Sequence, residues 1–488
     1  MKENPLVSVI IPSYNSSQYL LQCLDAIKSS YYTNYEIIVV DDASTDKSPE
    51  IARQAGTHLI QMDKQLGPGA ARNTGVHHAK GDIYFFVDSD VVINPDSISC
   101  AVNHFLKNPE VGALFGSYDN QPSAINFCSQ YKNLFHHFIH QTSHEDANTF
   151  WAGCGAIRKE VFHEVGGFDI VRYTKPSIED IELGLRISKQ GYKILILKTL
   201  QAKHLKQWSL FSLLYTDIFC RAIPWANLII ASREIPKGLN FQKNHLISSF
   251  CVGLLVALGI FFLLEYKLFS FIPMGSLFYY LKLSMVIIFL VTNFVVFYMR
   301  MTQLLNKGRH LRFLLPTLFF IISGFGFTIG IFIFFNYKFL AFVPNTTFYY
   351  YLKFIILIVF FLSNFIIFYL KIPQIRIQHW QRDGLIRIFF IVSAGIVVTL
   401  SLFVFHHSIS YNLIQSAAAS YFCFILITIN ILLLNSQLYR FFFSLKGFRF
   451  LLLAIFFHIL YYLYSEGTFI ICWFIHSLKS LERKKNNS

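Results

Sequence analysis

The sequence predicts an α/β domain with a mostly parallel sheet, followed by an α-helical transmembrane domain. Over the first 206 residues, short apolar runs alternate with amphipathic stretches and polar turns, which is typical of a doubly wound sheet. The second half consists largely of long apolar stretches, and the chain of 488 residues is 54% hydrophobic with 53 Phe and 26 Tyr. This length exceeds one ordinary domain, and the composition indicates that part of the chain lies in a bilayer.

The positive charge belongs to the apolar half. Residues 1–245 carry 23 Lys and Arg against 24 Asp and Glu, a net charge of −1, whereas residues 246–488 carry +15. Basic residues between apolar spans follow the positive-inside rule. The overall charge of +14 therefore does not indicate a nucleic-acid partner.

Two further features indicate the cellular compartment of the amino-terminal half. Eight cysteines without a C-x-x-C pair predict reduced thiols and no zinc site. The only apolar run near the amino terminus, residues 7–11, is ended by Pro12 and is too short for a signal peptide. We therefore expect the amino-terminal half to stay on the cytosolic side.

The elements of this half follow from the apolar pattern. Strands are predicted at 7–11, 35–40, 58–62 and 84–87, and helices at about 17–30 and at 70–79. Ser16 or Ser17 is expected to cap the first helix, and a further helix follows a cap at Ser44, Thr45 or Asp46. A loop at 67–69 opens the helix that contains Arg72.

The fourth strand ends in two carboxylates, Asp88 and Asp90. In open α/β sheets, ligands bind at the carboxyl ends of the strands. Two acids one residue apart at such an edge can hold a hard divalent cation, which in turn holds phosphates. The alternative is a strand that ends in a solvated turn.

Several motifs together resemble the family-2 glycosyltransferases of GT-A fold. The resemblance covers about residues 5–225 and rests on the order of the motifs, since any one of them alone is weak. The matching segments are Val-Ser-Val-Ile-Ile-Pro-Ser-Tyr-Asn at 7–15, Val-Val-Asp-Asp-Ala-Ser-Thr-Asp at 39–46, Gly-Pro-Gly-Ala-Ala-Arg-Asn-Thr-Gly at 67–75, Asp-Ser-Asp at 88–90, Gly-Cys-Gly-Ala-Ile at 153–157, Gly-Gly-Phe-Asp at 166–169 and Ile-Glu-Asp at 178–180.

The resemblance implies a binding site for a nucleotide-activated sugar. Pro12, Tyr14 and Asp42 would line the base and ribose pocket, and Gly67 and Arg72 would lie near the nucleotide phosphates. The alternatives are core packing for Tyr14, a helix cap for Asp42 and a surface ion pair for Arg72.

The resemblance also implies a divalent metal, Mg²⁺ or Mn²⁺, and a catalytic base. Asp90 would be the principal metal ligand, Asp88 would contact the ribose or the metal's water shell, and His204 matches a metal-binding histidine. Glu179 and Asp180 resemble the acceptor-activating pair, with Asp180 as the base. A structural histidine and a helix N-cap at Asp180 or Ser177 are the alternatives.

Other segments carry weaker expectations. The glycines at 153 and 155 predict a loop without side-chain bulk, and Glu182 and Arg186 are spaced to pair on a helix surface. Residues 207–245 predict an interfacial amphipathic segment. The spacing of Arg221 and Trp225 departs from the Gln-x-x-Arg-Trp signature of processive synthases, which argues against a polymerising enzyme.

The apolar half predicts a multi-pass membrane domain over residues 246–478 with a basic tail at 479–488. Two-helix hairpins repeat with a period of 71 residues, as the segments starting at Tyr266 and Tyr337 illustrate. Basic loops follow the second, fourth and sixth spans, which places them on the side of the amino-terminal half. The stretch 450–475 is interrupted at Glu466 and Gly467, so a seventh span and a re-entrant or interfacial segment both remain open. Six spans are predicted at 246–264, 280–299, 313–335, 350–371, 386–405 and 417–436.

These patterns predict a catalytic domain, an interfacial segment, a membrane domain and a basic tail, and they favour one leading function. Residues 1–206 would form the catalytic domain of an inverting glycosyltransferase in the plasma (inner) membrane, with its catalytic domain in the cytoplasm. It would move a sugar from a nucleotide-sugar donor to a lipid or lipid-linked glycan acceptor at the cytosolic membrane face. The alternatives are a polyprenyl-phosphate glycosyltransferase, whose anionic acceptor needs no base, and a membrane transporter with a soluble regulatory domain.

Overall fold

The computed structural model describes residues 3–232, 247–256 and 427–486. Residues 3–256 and 430–486 of this description belong to one compact unit, and the second unit spans Ile260–Ile429. Of the predicted spans, those at 280–299, 313–335, 350–371 and 386–405 lie outside the described residues. Residues 430–478, which the sequence assigns to the membrane domain, belong to the same compact unit as the amino-terminal domain, and the predicted boundary stays a prediction.

One sheet of nine strands forms the centre of the amino-terminal domain. Its order is β3-β2-β1-β4-β8-β6-β9-β5, with β7 paired to β9. The strands are β1 Val7–Ser13, β2 Tyr35–Asp41, β3 His58–Gln61, β4 Ile83–Val87, β5 Val91–Ile93, β6 Val111–Tyr118, β7 Asp146–Ala147, β8 Cys154–Arg158 and β9 Lys193–His204.

The sheet is parallel on one side of β4 and mixed on the other. The strands β3, β2, β1 and β4 are parallel neighbours, as the alternation of strands and helices predicts. Beyond β4 the sheet is mixed, because β8 runs antiparallel to both β4 and β6, while β6 and β9 are parallel. The predicted α/β class is confirmed, and the second half adds antiparallel strands.

Helices cover the sheet and extend to the carboxyl terminus. The amino-terminal helices are α1 Leu20–Lys28, α2 Ser48–Gln54, α3 Pro68–His78, α4 Ser97–Lys107, α5 Phe127–Thr142, α6 Lys159–Glu164 and α7 Glu179–Lys189. Next come α8 Leu210–Tyr215, a π-helix at Thr216–Ala222 and α9 Ile223–Ser232. Then follow α10 Ile247–Val256, a helical stretch at 427–434, and α11 Ser436–Asn486.

Two apolar layers, one on each face of the sheet, explain why the strands read as continuous apolar runs. On β4, Phe85 belongs to one layer, and its neighbours Tyr84 and Phe86 belong to the other. All three side chains are fully buried. The polar residues that follow β4 are therefore the first that can reach solvent at this edge.

The predicted caps of α1 and α2 are replaced by other contacts. α1 begins at Leu20 after Tyr19, and the Ser16 hydroxyl bonds to the Ser13 hydroxyl at 2.7 Å instead of capping. Before α2, the Asp46 Oδ1 accepts hydrogen bonds from the Ser48 N–H and hydroxyl, at 3.0 and 2.5 Å. Asp46 thus satisfies the first turn of α2 from outside the helix.

Two helices among the described residues are long and apolar enough to cross a membrane by length and composition. They are Leu210–Ser232, which combines α8, the π-helix and α9, and Ser436–Ser480 within α11. α11 contains a sharp kink at Gly447, whose φ of +77° lies in the left-handed region that favours glycine.

Candidate functional site

The carboxyl ends of β1, β2 and β4 meet at one edge of the sheet. Pairing of Ser13 with Asp41 places the ends of β1 and β2 side by side, and β4 lies on the other side of β1. Tyr14, Asp42 and Asp88 directly follow these three strands. The structure therefore brings together residues that the sequence places in separate motifs.

Tyr14 is 45% exposed at this edge, so the alternative of core packing is wrong for it. Pro12 is buried within β1. Within the two motifs that follow β1 and β2, Asn15 has φ +48° and Ala43 has φ +59°, which are uncommon values for residues other than glycine. Positive φ in residues other than glycine stores local strain and is concentrated at ligand-binding loops, a feature that the sequence motifs do not reveal.

Asp42 anchors the loop that precedes α3. It is 3% exposed, and its two carboxylate oxygens accept hydrogen bonds from the Leu66 N–H at 2.7 Å and the Gly67 N–H at 2.8 Å. It is not a helix cap. Gly67 has φ +90°, and a Cβ there would lie 2.8 Å from the Thr174 carbonyl oxygen. Glycine at this position is therefore required both by conformation and by space.

Arg72 joins the two acidic motifs. Its guanidinium donates to Asp88 Oδ1 at 2.7 Å and to Glu179 Oε1 at 3.1 Å, although Glu179 is 107 residues away in sequence. Its place near the nucleotide phosphates stays a prediction, whereas the alternative of a surface ion pair is wrong, because Arg72 is only 4% exposed. The residue is instead the buried link between the strand-end acids and the start of α7.

Asp90 is paired with a different residue. Its Oδ2 lies 3.5 Å from His204 Nε2 at the end of β9, and its backbone oxygen accepts a hydrogen bond from Leu205. The His204 ring stacks on Tyr118 with ring centroids 4.3 Å apart. The antiparallel pairing of β5 with β9 produces this arrangement, since Val91 is directly opposite His204.

These residues fit a divalent cation that a ligand helps to hold. A carboxylate oxygen of Asp90 and the Nε2 of His204 lie close together at the strand edge. Within the described ranges, no group of three or more His, Cys, Asp or Glu is placed to hold a metal by itself. Mg²⁺ is typically bound by one or two carboxylates together with substrate phosphates, so two protein donors are a reasonable set.

Glu179 and Asp180 differ although they are neighbours at the start of α7. Glu179 is 5% exposed, and besides Arg72 it accepts a hydrogen bond from the Ser177 N–H at 2.9 Å. Both oxygens of its carboxylate are thus engaged, which holds Arg72 and the start of α7 in place, and its predicted role beside Asp180 in catalysis stays a prediction. Neither Ser177 nor Asp180 is the N-cap, because that position belongs to Ile178.

Asp180 is held by the backbone and has an altered acidity. Its Oδ2 accepts a hydrogen bond from the Ala152 N–H at 3.1 Å, and its Oδ1 accepts one from the Ile181 N–H at 2.8 Å. Burial, and then repulsion from Glu179, raise the pKa of the Asp180 carboxyl to about 7, although the charge of Arg72 opposes the rise. A carboxylate with a pKa near 7 suits a general base.

Of the two glycines expected in a loop, Gly153 lies in the turn before β8, whereas Gly155 is a strand residue. Gly155 lies in β8, paired with Phe86 on β4, and Gly153 accepts a hydrogen bond from the Asp88 N–H at 3.2 Å. A Cβ on Gly155 would approach the Trp151 carbonyl oxygen to 2.5 Å. These glycines are therefore needed for close packing against Trp151 rather than for the approach of a ligand.

The Glu182–Arg186 pair forms as predicted but is not on the surface. The Arg186 Nη2 lies 2.7 Å from Glu182 Oε2, and Glu182 is 8% exposed. Arg186 also donates to the backbone oxygens of Val165 and Gly167. The pair therefore fastens α7 to the turn that contains the Gly-Gly-Phe-Asp motif.

An aromatic cluster beside His204 could not be predicted from the motifs. Tyr118 packs against His136 and Trp151 at centroid distances of 4.4 and 4.8 Å. Burial holds the pKa of His136 well below its usual range, so this ring is neutral at pH 7. Tyr118, His136 and Trp151 come from three separate elements, and the sequence contains no local signal for their proximity.

Comparison with known proteins agrees with this arrangement. The profile described as Glycosyl transferase family 2 matches residues 8–166. An uncharacterized glycosyltransferase from Haemophilus influenzae is 40% identical over 113 residues, which are 21% of this chain and 44% of that protein. The glycosyltransferase AglE from Haloferax volcanii is 44% identical over 93 residues, which are 18% of this chain and 31% of that protein. The chain thus spans less than half the length of either relative.

Among solved structures, the chain is similar to the mannosyltransferase PcManGT from Pyrobaculum calidifontis in complex with GDP-Man and Mn²⁺. The TM-score is 0.37 with 23% identity, over 48% of this chain and 65% of that chain. The match to the family profile covers the strand-end motifs from β1 to β8, and it ends before Glu179, Asp180 and His204. Residues 8–166 of this chain thus match the Glycosyl transferase family 2 profile, which is the family that the motifs resemble.

Proposed function

We propose that this chain is an inverting glycosyltransferase that moves a sugar from a nucleotide-activated donor to a hydroxyl of a lipid or lipid-linked glycan. The observation that carries the proposal is the buried bridge of Arg72 to Asp88 and Glu179. It brings the strand-end acids and the start of α7 into one site. The sheet edge proposed to bind the diphosphate and the candidate base, Asp180, thus belong to the same site.

The donor side is assigned to the edge formed by β1, β2 and β4. Tyr14 is exposed there and can stack on a base, while Pro12 and Asp42 shape the base and ribose pocket. Asp88, whose Oδ1 accepts a hydrogen bond from Arg72, would contact the ribose or the water shell of the metal. Asp90 and His204 would hold Mg²⁺ or Mn²⁺, which when bound neutralises charge on the leaving nucleoside diphosphate.

The acceptor side is assigned to Asp180. In the proposed reaction, Asp180 accepts the proton of the acceptor hydroxyl as that oxygen bonds to the anomeric carbon. The bond from the anomeric carbon to the diphosphate oxygen breaks on the opposite face. The products are the inverted glycoside, the nucleoside diphosphate and protonated Asp180, which then releases its proton to water.

We place the reaction at the cytosolic face of the plasma membrane, in cell-envelope glycan biosynthesis. The support comes from the apolar composition, from the basic loops predicted between spans and from the two long apolar helices. The catalytic domain would comprise residues 1–206, followed by the interfacial segment 207–245 and the membrane domain 246–478. The lipid acceptor follows from this location.

A polyprenyl-phosphate glycosyltransferase is the alternative enzyme. Its acceptor is already anionic and needs no base. The raised pKa of Asp180 and its placement beside Glu179 favour a hydroxyl acceptor, because a carboxylate that is half-protonated at pH 7 is suited to proton transfer. A transporter with a regulatory domain would need neither Asp90 nor Asp180 for its activity.

The test uses the full chain in nanodiscs with Mn²⁺. UDP-sugars and GDP-sugars are screened for release of nucleoside diphosphate, with and without host lipid extract. We expect lipid-stimulated release that Asp90→Asn and Asp180→Asn both abolish. Asp146→Asn makes the same change of charge at an exposed acid far from these motifs and should leave release unchanged.

Each alternative has its own outcome. Transfer that survives Asp180→Asn but not Asp90→Asn would indicate a phosphate acceptor. Movement of a lipid or glycan across the membrane that is independent of both acids would indicate a transporter. Absence of turnover with every donor, in folded protein, would contradict the proposed enzyme.

A further inference from the structure

The phenol ring of Tyr118 lies flat against the imidazole of His204. The two ring planes are 13° apart, and their centroids are separated by 4.3 Å. The same imidazole presents its Nε2 to Asp90 Oδ2 at a distance of 3.5 Å. A parallel ring contact in a closely packed site restricts rotation of the imidazole about its side-chain bonds. Tyr118 can therefore determine where the Nε2 of His204 points.

An irregularity in the pairing of β6 with β9 brings these two residues together. The register of the pair shifts after Phe115, where β9 contains extra residues, and Tyr118 then lies opposite Ala202. Because alternate residues of a strand share a face, His204 lies on the same face of β9 as Ala202. Irregularities of this kind are common beside active sites, where they redirect a side chain.

α5 holds the end of β6 in place. Four polar side chains, spaced along one face of this helix, donate hydrogen bonds to successive residues at the end of the strand. They are Asn133 to the Asp119 backbone oxygen at 2.9 Å, His137 to the Tyr118 backbone oxygen at 2.7 Å, His140 to the Gly116 backbone oxygen at 2.9 Å and Gln141 to the Ser117 hydroxyl at 2.8 Å. The backbone of Tyr118 is thus fixed relative to α5.

The ring of Tyr118 is supported as well. His136 of α5 and Trp151, which precedes β8, contact it at centroid distances of 4.4 and 4.8 Å. His136 in turn contacts His140, with centroids 3.9 Å apart. A continuous row of rings therefore leads from His204 through Tyr118 to α5.

The two α5 histidines in this row are uncharged at pH 7. Burial, and then the neighbouring His140, hold the pKa of His136 well below its usual range, and burial lowers the pKa of His140 to about 4. A protonated ring in this position would repel a divalent cation at the site. The row can thus support His204 without adding positive charge.

We propose that Tyr118 is a positioning residue for the metal site, because its ring, supported by α5, holds the His204 imidazole with Nε2 toward Asp90. The inference rests on the proposed function in one respect, the assignment of Asp90 and His204 as metal ligands. Metal-binding histidines are usually oriented by a neighbouring group. In this site the orienting contact is a stacked ring.

The test follows Mn²⁺ itself, so it does not depend on glycosyl transfer. The full chain, with its histidines enriched in the heavy nitrogen isotope, is placed in nanodiscs of zwitterionic lipid. Mn²⁺ is added alone and together with UDP or GDP. The electron paramagnetic resonance signal of free Mn²⁺ gives the affinity, and pulsed measurements detect a histidine nitrogen bound to the metal.

We expect a metal-bound histidine nitrogen in the wild type and its loss in His204→Gln. Tyr118→Leu removes the stacked ring and should weaken Mn²⁺ binding about tenfold, the lower end of the usual effect of groups that orient a metal ligand. Tyr118→Phe keeps the ring and removes only the hydroxyl, so its affinity and its nitrogen signal should equal those of the wild type. Tyr31→Leu, at a residue that is 76% exposed, is the matched control and should bind Mn²⁺ normally.

His136→Leu tests the support of the Tyr118 ring in a second way. It leaves Tyr118 and His204 in place, and it should weaken Mn²⁺ binding about twofold, the equivalent of one weak aromatic contact. This variant decides the question if Tyr118→Leu does not fold. Unchanged affinity in His136→Leu would then overturn the inference.

The remaining outcomes separate the inference from the proposed function. Mn²⁺ binding in folded Tyr118→Leu that is as tight as in the wild type would overturn the role of Tyr118 alone. Equal weakening in Tyr118→Phe would assign the effect to the hydroxyl and would also overturn it. A histidine signal that is absent from the wild type, or that His204→Gln leaves unchanged, would overturn the metal assignment and the inference with it.

Discussion

The candidate site contains two pairs of acids, and the two members of each pair have different partners. Asp88 and Asp90 follow β4, whereas Glu179 and Asp180 begin α7. In each pair the first acid binds Arg72. In the proposed mechanism, the second acid of each pair, Asp90 or Asp180, takes part in the reaction.

The two remaining acids have different environments. Asp90 lies beside His204, where a cation can be shared with a diphosphate. Asp180 accepts backbone hydrogen bonds from Ala152 and Ile181, and burial together with repulsion from Glu179 raises its pKa to about 7. The buried guanidinium of Arg72 therefore fixes Asp88 and Glu179 in position. In the proposed mechanism, Asp90 binds the metal and Asp180 is the base.

Removal of Arg72 should have the largest effect on this arrangement. Arg72→Met leaves two buried carboxylates without their partner, and breaking a buried ion pair in this way costs about 3–5 kcal/mol. We expect a loss of that size in the free energy of unfolding, measured by denaturation in detergent, together with loss of activity. Arg53→Met, at an exposed arginine of α2, is the matched control. Equal stability of the two variants would mean that Arg72 does not organise the acids.

Asp180→Asn should separate catalysis from stability. Transfer should fall by about 10²–10⁴-fold, the usual contribution of a general base. The pKa of Asp180 is raised in the fold, so ionising it destabilises the fold as pH rises from the carboxyl's unfolded pKa through about 7. At pH 8 the variant should thus be at least as stable as the wild type. A large loss of stability at pH 8 would indicate a structural role for Asp180.

Asp88→Asn should have the smallest effect of the three. The asparagine oxygen can still accept a hydrogen bond from Arg72, and the side chain of Asp88 is 32% exposed. We expect a stability loss of about 1–2 kcal/mol, since a hydrogen bond to a charged group is replaced by a neutral one. The loss of transfer should be smaller than that of Asp90→Asn. The reverse order would mean that the roles within the strand-end pair are exchanged.

The sequence predicted the parts of the site that depend on local pattern. The apolar runs of β1, β2 and β4 and the acids that follow them lie where the motifs indicated. Parallel strands with short turns place their carboxyl ends at one edge, so local pattern is sufficient there.

The sequence could not predict contacts between distant segments. The motif of Arg72 predicts a place near the nucleotide phosphates. Its pairing with Glu179 depends on where α7 packs against the sheet, which the motif does not encode. Gly155 reads as a loop residue, yet it is a strand residue packed against Trp151. In both cases the deciding neighbour lies outside the motif.

The same limit applies to α11. By composition it is a candidate span. Its contacts with α5 and with Asp217 involve segments that are distant in sequence, so length and hydropathy do not predict them.

The most direct test is the pH dependence of kcat/KM for transfer, measured in the wild type and in Glu179→Gln. Asp180 must be ionised to act as a base, so kcat/KM should rise with pH through about 7 in the wild type. Glu179→Gln removes a repelling charge, and the rise should move to lower pH. A profile that is flat near pH 7, or one that Glu179→Gln leaves unchanged, would contradict the assignment of Asp180 as the base.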